Sequence, residues 1–297
     1  EGVAQVISQA WKQLCEQTGT HSDLESIDVT RDIVKWFVHD PQNVLGWVIT
    51  LGEEIVGVTF LSTYSDKVDG GEIIAVSPNH QGKSLGRILT NLLIQHSTSP
   101  SIRLTQDSFN TASFSLYLDC GFDPVEYLSC IECIQKEPSP SAPKKGSTLN
   151  ITHNGTSLTL RPMAESDLDA VDALFRECND CSRKREDSVI FSMSKNHESS
   201  TIPYVLFEGS KLLAYSFGFH HGGYTVARSE DLLKILVENY SLMDSTFLCY
   251  VSSIQHVSFV RWLLQDKKKF KLHRNVTLMS KGWYSPPKYI YLPNVVW

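Results

Sequence analysis

Hydrophobic positions in the first half of the chain alternate between two rhythms. Val3, Val6, Ile7, Ala10, Trp11 and Leu14 recur three and four apart, which predicts an amphipathic helix, and residues 32–38 repeat the pattern over a shorter span. Residues 46–51 and 55–61 carry the β-branched and aromatic side chains of two strands, joined by the turn Gly52-Glu53-Glu54. A short apolar run, Ile73 to Val76, reads as a buried strand stopped by Ser77-Pro78. A polar loop follows from Asn79 to Gly86, after which Ile88, Leu89, Leu92, Leu93 and Ile94 return to helical spacing. Residues 102–105 are another strand. Residues 110–117 are a helix with Asp107 or Asn110 as N-cap and Gly121 as its stop, and residues 127–134 close the set as a strand.

The second half repeats this order more faintly. Residues 137–147, rich in proline and serine, have little to bury and read as a linker. Leu158 to Pro162 is a strand, and Ala164 to Leu168 opens a helix that runs to about Cys178. Residues 204–207 and 212–219 form a hairpin around Glu208 to Lys211. Residues 231–240 are helical, 247–251 a strand, 257–264 a helix and 276–279 a last strand. This is a degraded internal repeat, and the expected fold class is α+β, two domains each with a mixed, mostly antiparallel sheet flanked by helices. The expected boundaries are 1–136 for the first domain, 137–150 for the linker and 151–297 for the second.

Composition narrows the function. The chain has 297 residues, enough for two domains, and is 41% hydrophobic with a net charge of −6. That charge argues against nucleic acid as a partner and suits cationic substrates weakly. The seven cysteines are sparse and odd in number, which points to reduced thiols in the cytoplasm. Cys130-x-x-Cys133 and Cys178-x-x-Cys181 lie too far apart in sequence to suggest one zinc site, and no metal is expected. No apolar run is long enough to suggest a membrane span or a signal peptide.

The strand, loop and helix from Glu72 to His96 form the stretch with the clearest chemistry. The first N–H groups of a helix lack intrahelical partners, and the helix dipole adds partial positive charge there. Gly82 and Gly86 allow close backbone approach, while Lys83 and Arg87 add positive charge. Gln81 to Arg87, with Ser84 and Leu85 between, therefore reads as a pyrophosphate cradle. Neither the G-x-G-x-x-G nor the G-x-x-x-x-G-K-[ST] spacing occurs, which excludes the two commonest phosphate loops.

The cradle resembles the acetyl-CoA motif of the GNAT N-acetyltransferase superfamily, Q/R-x-x-G-x-G/A after a V-x-P-like strand end. Gln81, Ser84 and Gly86 match it, with Val76-Ser77-Pro78 upstream, and Ser84 replaces the first glycine. Asn110, Ser113, Leu116, Tyr117, Gly121 and Phe122 are similar to the family's N-x-x-[AS]-x-x-L-Y-x-x-x-G-F segment, in the right order and spacing. The strand that the family places before its first helix is absent from the sequence.

What the resemblance implies is transfer of an acetyl group from acetyl-CoA to an amine, by direct attack in a ternary complex. It assigns the pantetheine arm to backbone groups of Ile74, Ala75 and Val76, and a cofactor contact to Asn110. It makes Tyr117 the acid that protonates the departing thiolate. On the residues alone, the competing reading of Tyr117 is a tyrosine packing helix against sheet, and that of Asn110 a simple helix cap. Glu72 is the first choice of general base, because alternation along the strand puts it on one face with Ile74 and Val76; the competing reading is an exposed strand-end carboxylate. His80, Tyr64, Gln106 and Asp107 are other groups expected around the cleft, and His220 and His221 of the second half could reach it. The second half carries no such motif, and Glu230 and Asp231 at its helix start would repel a phosphate. One cofactor site is thus expected, with a small-molecule amine as acceptor. A protein lysine or N-terminus is the alternative acceptor, and a non-catalytic acyl-CoA sensor or scaffold is the rival of another class. The apolar C-terminal tail from Pro286 is expected to dock, with Trp297 a candidate to reach the site, and an oligomer is compatible with the sequence.

Overall fold

The computed structural model describes residues 1–40, 42–134, 143–195, 201–220, 222–243 and 247–294. They form two compact units, residues 1–125 with 278–283 and residues 126–277 with 284–294. His221, Trp297 and part of the expected linker lie outside the described residues.

The first unit runs α1 (Gly2–Thr18), α2 (Ile27–His39), β1 (Val44–Leu51), β2 (Glu54–Thr63), β3 (Val68–Val76), α3 (Leu85–His96), β4 (Ser101–Asp107) and α4 (Thr111–Asp119), and then the start of β5 (Asp123–Cys133). β1, β2 and β3 form an antiparallel meander, and β4 joins β3 in parallel. Leu278–Trp283 completes this unit from far along the chain: Ser280 Oγ is 3.1 Å from Ser101 Oγ, and Trp283 N–H donates to the Pro100 carbonyl at 3.0 Å.

Strand alternation explains how one sheet serves two helix layers. Val58, Phe60 and Ala75 pack with Val6 and Ile7 of α1 and Phe37 of α2. Their sequence neighbours Leu61 and Ile74 pack the other way, with Leu93 of α3 and Tyr117 of α4. Ile7 and Val58 are fully buried, each contributing about 1.5–3 kcal/mol on transfer from water. α1 is also tied by polar bonds: Ser8 Oγ donates to the Glu25 carbonyl at 2.6 Å and Thr30 Oγ1 to that of Ala4 at 3.2 Å.

The second unit continues with β6 (Leu149–His153), β7 (Thr156–Pro162), α5 (Leu168–Asn179), α6 (Lys184–Lys195), β8 (Tyr204–Glu208), β9 (Lys211–Ser216), β10 (Thr225–Ala227), α7 (Glu230–Met243), β11 (Leu248–Ser252), α8 (Val257–Gln265), β12 (Phe270–Gly282, its end in the first unit) and β13 (Ile290–Leu292). One sheet has the order β13-β10-β9-β8-β7-β6, and β11 pairs antiparallel with β5. From α5 to β12 the order of elements repeats that from α1 to β5. Four elements are additions to the sequence reading: β6, which begins inside the expected linker, α6, β10 and β13. The last is the docked part of the C-terminal tail, with Tyr291 opposite Val226. The strand expected to reach Phe219 stops at Ser216, before Gly218 at φ 116°.

A buried polar cluster holds α6 in this unit. The Arg183 side chain is fully enclosed, donates from Nε to Glu186 Oε2 at 2.6 Å, and lies 4.1 Å from the Tyr224 ring centroid. Tyr224 donates its hydroxyl to Asp187, which is 0% exposed. Burial pushes the Asp187 carboxyl up to about 8, against the opposing pull of Arg183 and Tyr224.

Candidate functional site

The cradle is the junction between β3 and α3. Ser84 is the N-cap of α3 and adopts φ 63°, ψ 9°, the left-handed conformation for which a glycine is ordinarily used. Ile88 N–H donates to the Ser84 carbonyl at 3.1 Å, so the N–H groups of Leu85, Gly86 and Arg87 precede the first intrahelical bond. No acidic residue occupies this first turn. Gln81 folds the loop back, its Nε2 donating to the Val76 carbonyl at 3.2 Å. Gly82 stands at φ 72° with open space where a Cβ would be, and a Cβ on Gly86 would come within 3.2 Å of Leu116. Gly86 is therefore the residue that lets α3 approach α4 closely.

A cleft of about 450 Å³ opens above the cradle, a size suited to a cofactor arm. Of the cofactor contacts expected from sequence it collects Ile74, Ala75, Val76, Gln81, Gly82, Ser84, Leu85, Gly86, Arg87, Asn110 and Ser113, together with Tyr117 and His80. Lys83 is not among the lining residues and donates from Nζ to the Asn79 carbonyl at 3.1 Å. Arg87 forms an exposed pair with Asp119 at 3.0 Å, a weak tie from which the guanidinium can turn to a phosphate. Asn110 caps α4, its Oδ1 accepting from Ser113 N–H at 3.1 Å, and lines the cleft as well. Ser113 Oγ donates to the Asn110 carbonyl at 3.0 Å and lies 3.3 Å from the Gln106 amide.

Tyr117 is 8% exposed, packed 6.1 Å from Phe122 between ring centroids. Burial raises its hydroxyl well above the ordinary tyrosine value, which keeps the proton on the oxygen. Packing and chemistry coexist in this residue.

Glu72 requires a correction. β2 and β3 are in register at Thr59↔Ile74 and again at Leu61↔Gly71, so β3 carries one extra residue between those pairs. This bulge breaks the alternation that aligned Glu72 with Ile74 and Val76. Glu72 instead shares the side of Gly70, where Tyr64 covers the glycine and donates its hydroxyl to Glu72 Oε1. It is 7% exposed rather than a solvated strand end, and it is not among the cleft-lining residues.

One part of the lining was not foreseen as functional. It comes from α1: Ala10, Trp11, Gln13, Leu14 and Gln17. Ala10, Trp11 and Leu14 read as core in the sequence, yet all three are only half-buried. The available signal was Gln13 and Gln17, four apart and beside that apolar stripe.

Among the described residues no group of three His, Cys, Asp or Glu could hold a metal ion, and no helix is long and apolar enough to cross a membrane.

The family model of the acetyltransferase (GNAT) family matches residues 8–122, the span that contains α1, the cradle and Tyr117. Residues 8–122 are a GNAT acetyltransferase domain. A comparison with curated protein sequences gives no match. Among solved structures, a Pyrococcus horikoshii protein assigned as an acetyltransferase superposes with a TM-score of 0.67 at 14% identity, over 98% of this chain and 88% of that one. A GCN5-related N-acetyltransferase from Sphaerobacter thermophilus gives 0.58 at 16%, over 96% and 93%. One from Kribbella flavida gives 0.51 at 16%, over 94% and 67%. At these identities the likeness is one of fold, and it extends over both units. The domain of residues 8–122 is an acyltransferase domain, and acetyl-CoA is its acyl donor. The residues present fit that donor: free N–H groups at a carboxylate-free helix start for the pyrophosphate, and Tyr117 with the apolar Ile74, Val76 and Leu116 in the same lining for the thioester.

Proposed function

We propose that the cleft of the first unit transfers acetyl from acetyl-CoA to the primary amine of a small molecule by direct attack in a ternary complex. The observation that carries the reading is that one cleft joins a left-handed-capped helix start to a buried, protonated tyrosine. Leu85, Gly86 and Arg87 N–H groups hold the pyrophosphate, with Arg87 released from Asp119. Ile74 to Val76 flank the pantetheine arm. The amine lone pair attacks the thioester carbonyl carbon, the C–S bond breaks, and the thiolate takes the Tyr117 hydroxyl proton. The proton released by the amine passes to solvent, from which the tyrosinate is reprotonated.

The domain limits 1–136 and 151–297 remain our proposal for the two evolutionary repeats, with one cofactor site in the first. The test is release of CoA thiol from acetyl-CoA over a panel of small primary amines, with Tyr117→Phe beside wild type. Turnover that Tyr117→Phe lowers about 100-fold is the expected result. Binding of acetyl-CoA with no turnover on any amine would leave the non-catalytic sensor in its place.

A further inference from the structure

Resting on that acetyltransferase reading, we infer that the acceptor is an amine flanked by neutral amide groups, selected by Gln13 and Gln17 of α1. Ala10, Gln13, Leu14 and Gln17 lie three, four and seven apart, so they share one face of α1, and all four line the cleft. The helix is a rigid platform for them, because its N-terminal half is packed through Val6 and Ile7 and bonded at Ser8.

The chemistry of the lining decides the substrate class. Among the described residues that line the cleft none is Asp or Glu, although the protein as a whole is acidic at −6. A second cationic group on the acceptor would be desolvated there without a counter-charge, which is costly. A primary carboxamide such as Gln presents one acceptor oxygen and two donor protons. Two of them one helical turn apart match the C=O and N–H of an amide on the substrate, while Leu14 and Trp11 cover its apolar part. Polyamines are disfavoured by this wall, and α1 offers only neutral donors to the carboxylate of a free amino acid.

The test compares initial rates on glycinamide, glycine and spermidine, for wild type, Gln13→Leu, Gln17→Leu and Gln17→Glu, with acetyl-CoA affinity measured by calorimetry on each. The expected result is the highest kcat/KM on glycinamide. Each leucine variant raises its KM about tenfold with kcat and acetyl-CoA affinity unchanged. Gln17→Glu, which adds a carboxylate to the wall, shifts preference toward spermidine. Spermidine or glycine as the best wild-type substrate would overturn the inference and leave the acetyltransferase reading standing, as would leucine variants with unaltered KM. No turnover on any of the three amines, despite acetyl-CoA binding, would remove the transfer reading and this inference with it.

Discussion

The helix starts α3 and α7 stand at the same place in the repeated order of elements, and their chemistry is opposite. α3 opens with Leu85-Gly86-Arg87 behind a left-handed Ser84, and its free N–H groups face a cleft. α7 opens with Glu230-Asp231, and Glu230 is already engaged, accepting from Ser258 Oγ of α8 at 2.6 Å. The protein's own carboxylates thus occupy the positive end of that dipole. Toward the other end of α7 the interior is filled: Phe219 stacks on Phe247 at 4.7 Å and meets Tyr240 at 4.9 Å. The same backbone plan becomes a site where the helix start is left open, and a core where aromatics and acids close it.

The contrast can be broken most severely at Tyr117. If the first unit is the chemical one, Tyr117→Phe lowers kcat about 100-fold while acetyl-CoA affinity, measured by calorimetry, stays within twofold. Loss of affinity together with kcat would make Tyr117 a packing residue only.

The second unit carries a buried carboxyl that ties its stability to pH. Folded Asp187 titrates at about 8 against an ordinary 3.8, so between those values the native state holds a proton that the unfolded chain has released. Its contribution to stability is complete below pH 3.8 and is lost as pH rises through 8. Calorimetric melting from pH 5 to 8 should therefore show a falling Tm, with a clearly shallower slope in Asp187→Asn. Equal slopes would mean that the carboxyl is charged inside the fold.

The smallest effect is expected at Ser84. A non-glycine residue in the left-handed region costs about 1 kcal/mol, so Ser84→Gly should raise stability by about 0.5–1 kcal/mol, less the extra freedom of the unfolded chain, without weakening acetyl-CoA binding. Denaturant unfolding reads this directly, and a destabilised variant would show that the serine hydroxyl supports the loop.

How much of this was legible beforehand depended on whether a feature is local. The helices and strands of the first unit announce themselves by period, because one face of each is buried against one layer. The cradle was legible for a similar reason: glycines, a cap and a helix start are neighbours in sequence. The bulge at Glu72 was not, since it is defined by what β2 places opposite, and strict alternation therefore turned Glu72 the wrong way. α6 was missed because its buried face carries Asp187 and Arg183 precedes it, polar groups that find Tyr224 and Glu186 only after folding. β10 and β13 are three residues each, too short for any period to show. Ser84 looked like a departure from the motif, yet the backbone holds it where glycine belongs.

The difference between the two helix starts reduces to a count of cofactor sites. Calorimetric titration of the whole chain with acetyl-CoA, on wild type and on Gly86→Glu, measures it. One site per chain in wild type, and no binding in the variant whose added carboxylate faces the pyrophosphate and crowds Leu116, is the predicted result. Binding that survives Gly86→Glu, or two sites in wild type, would contradict it.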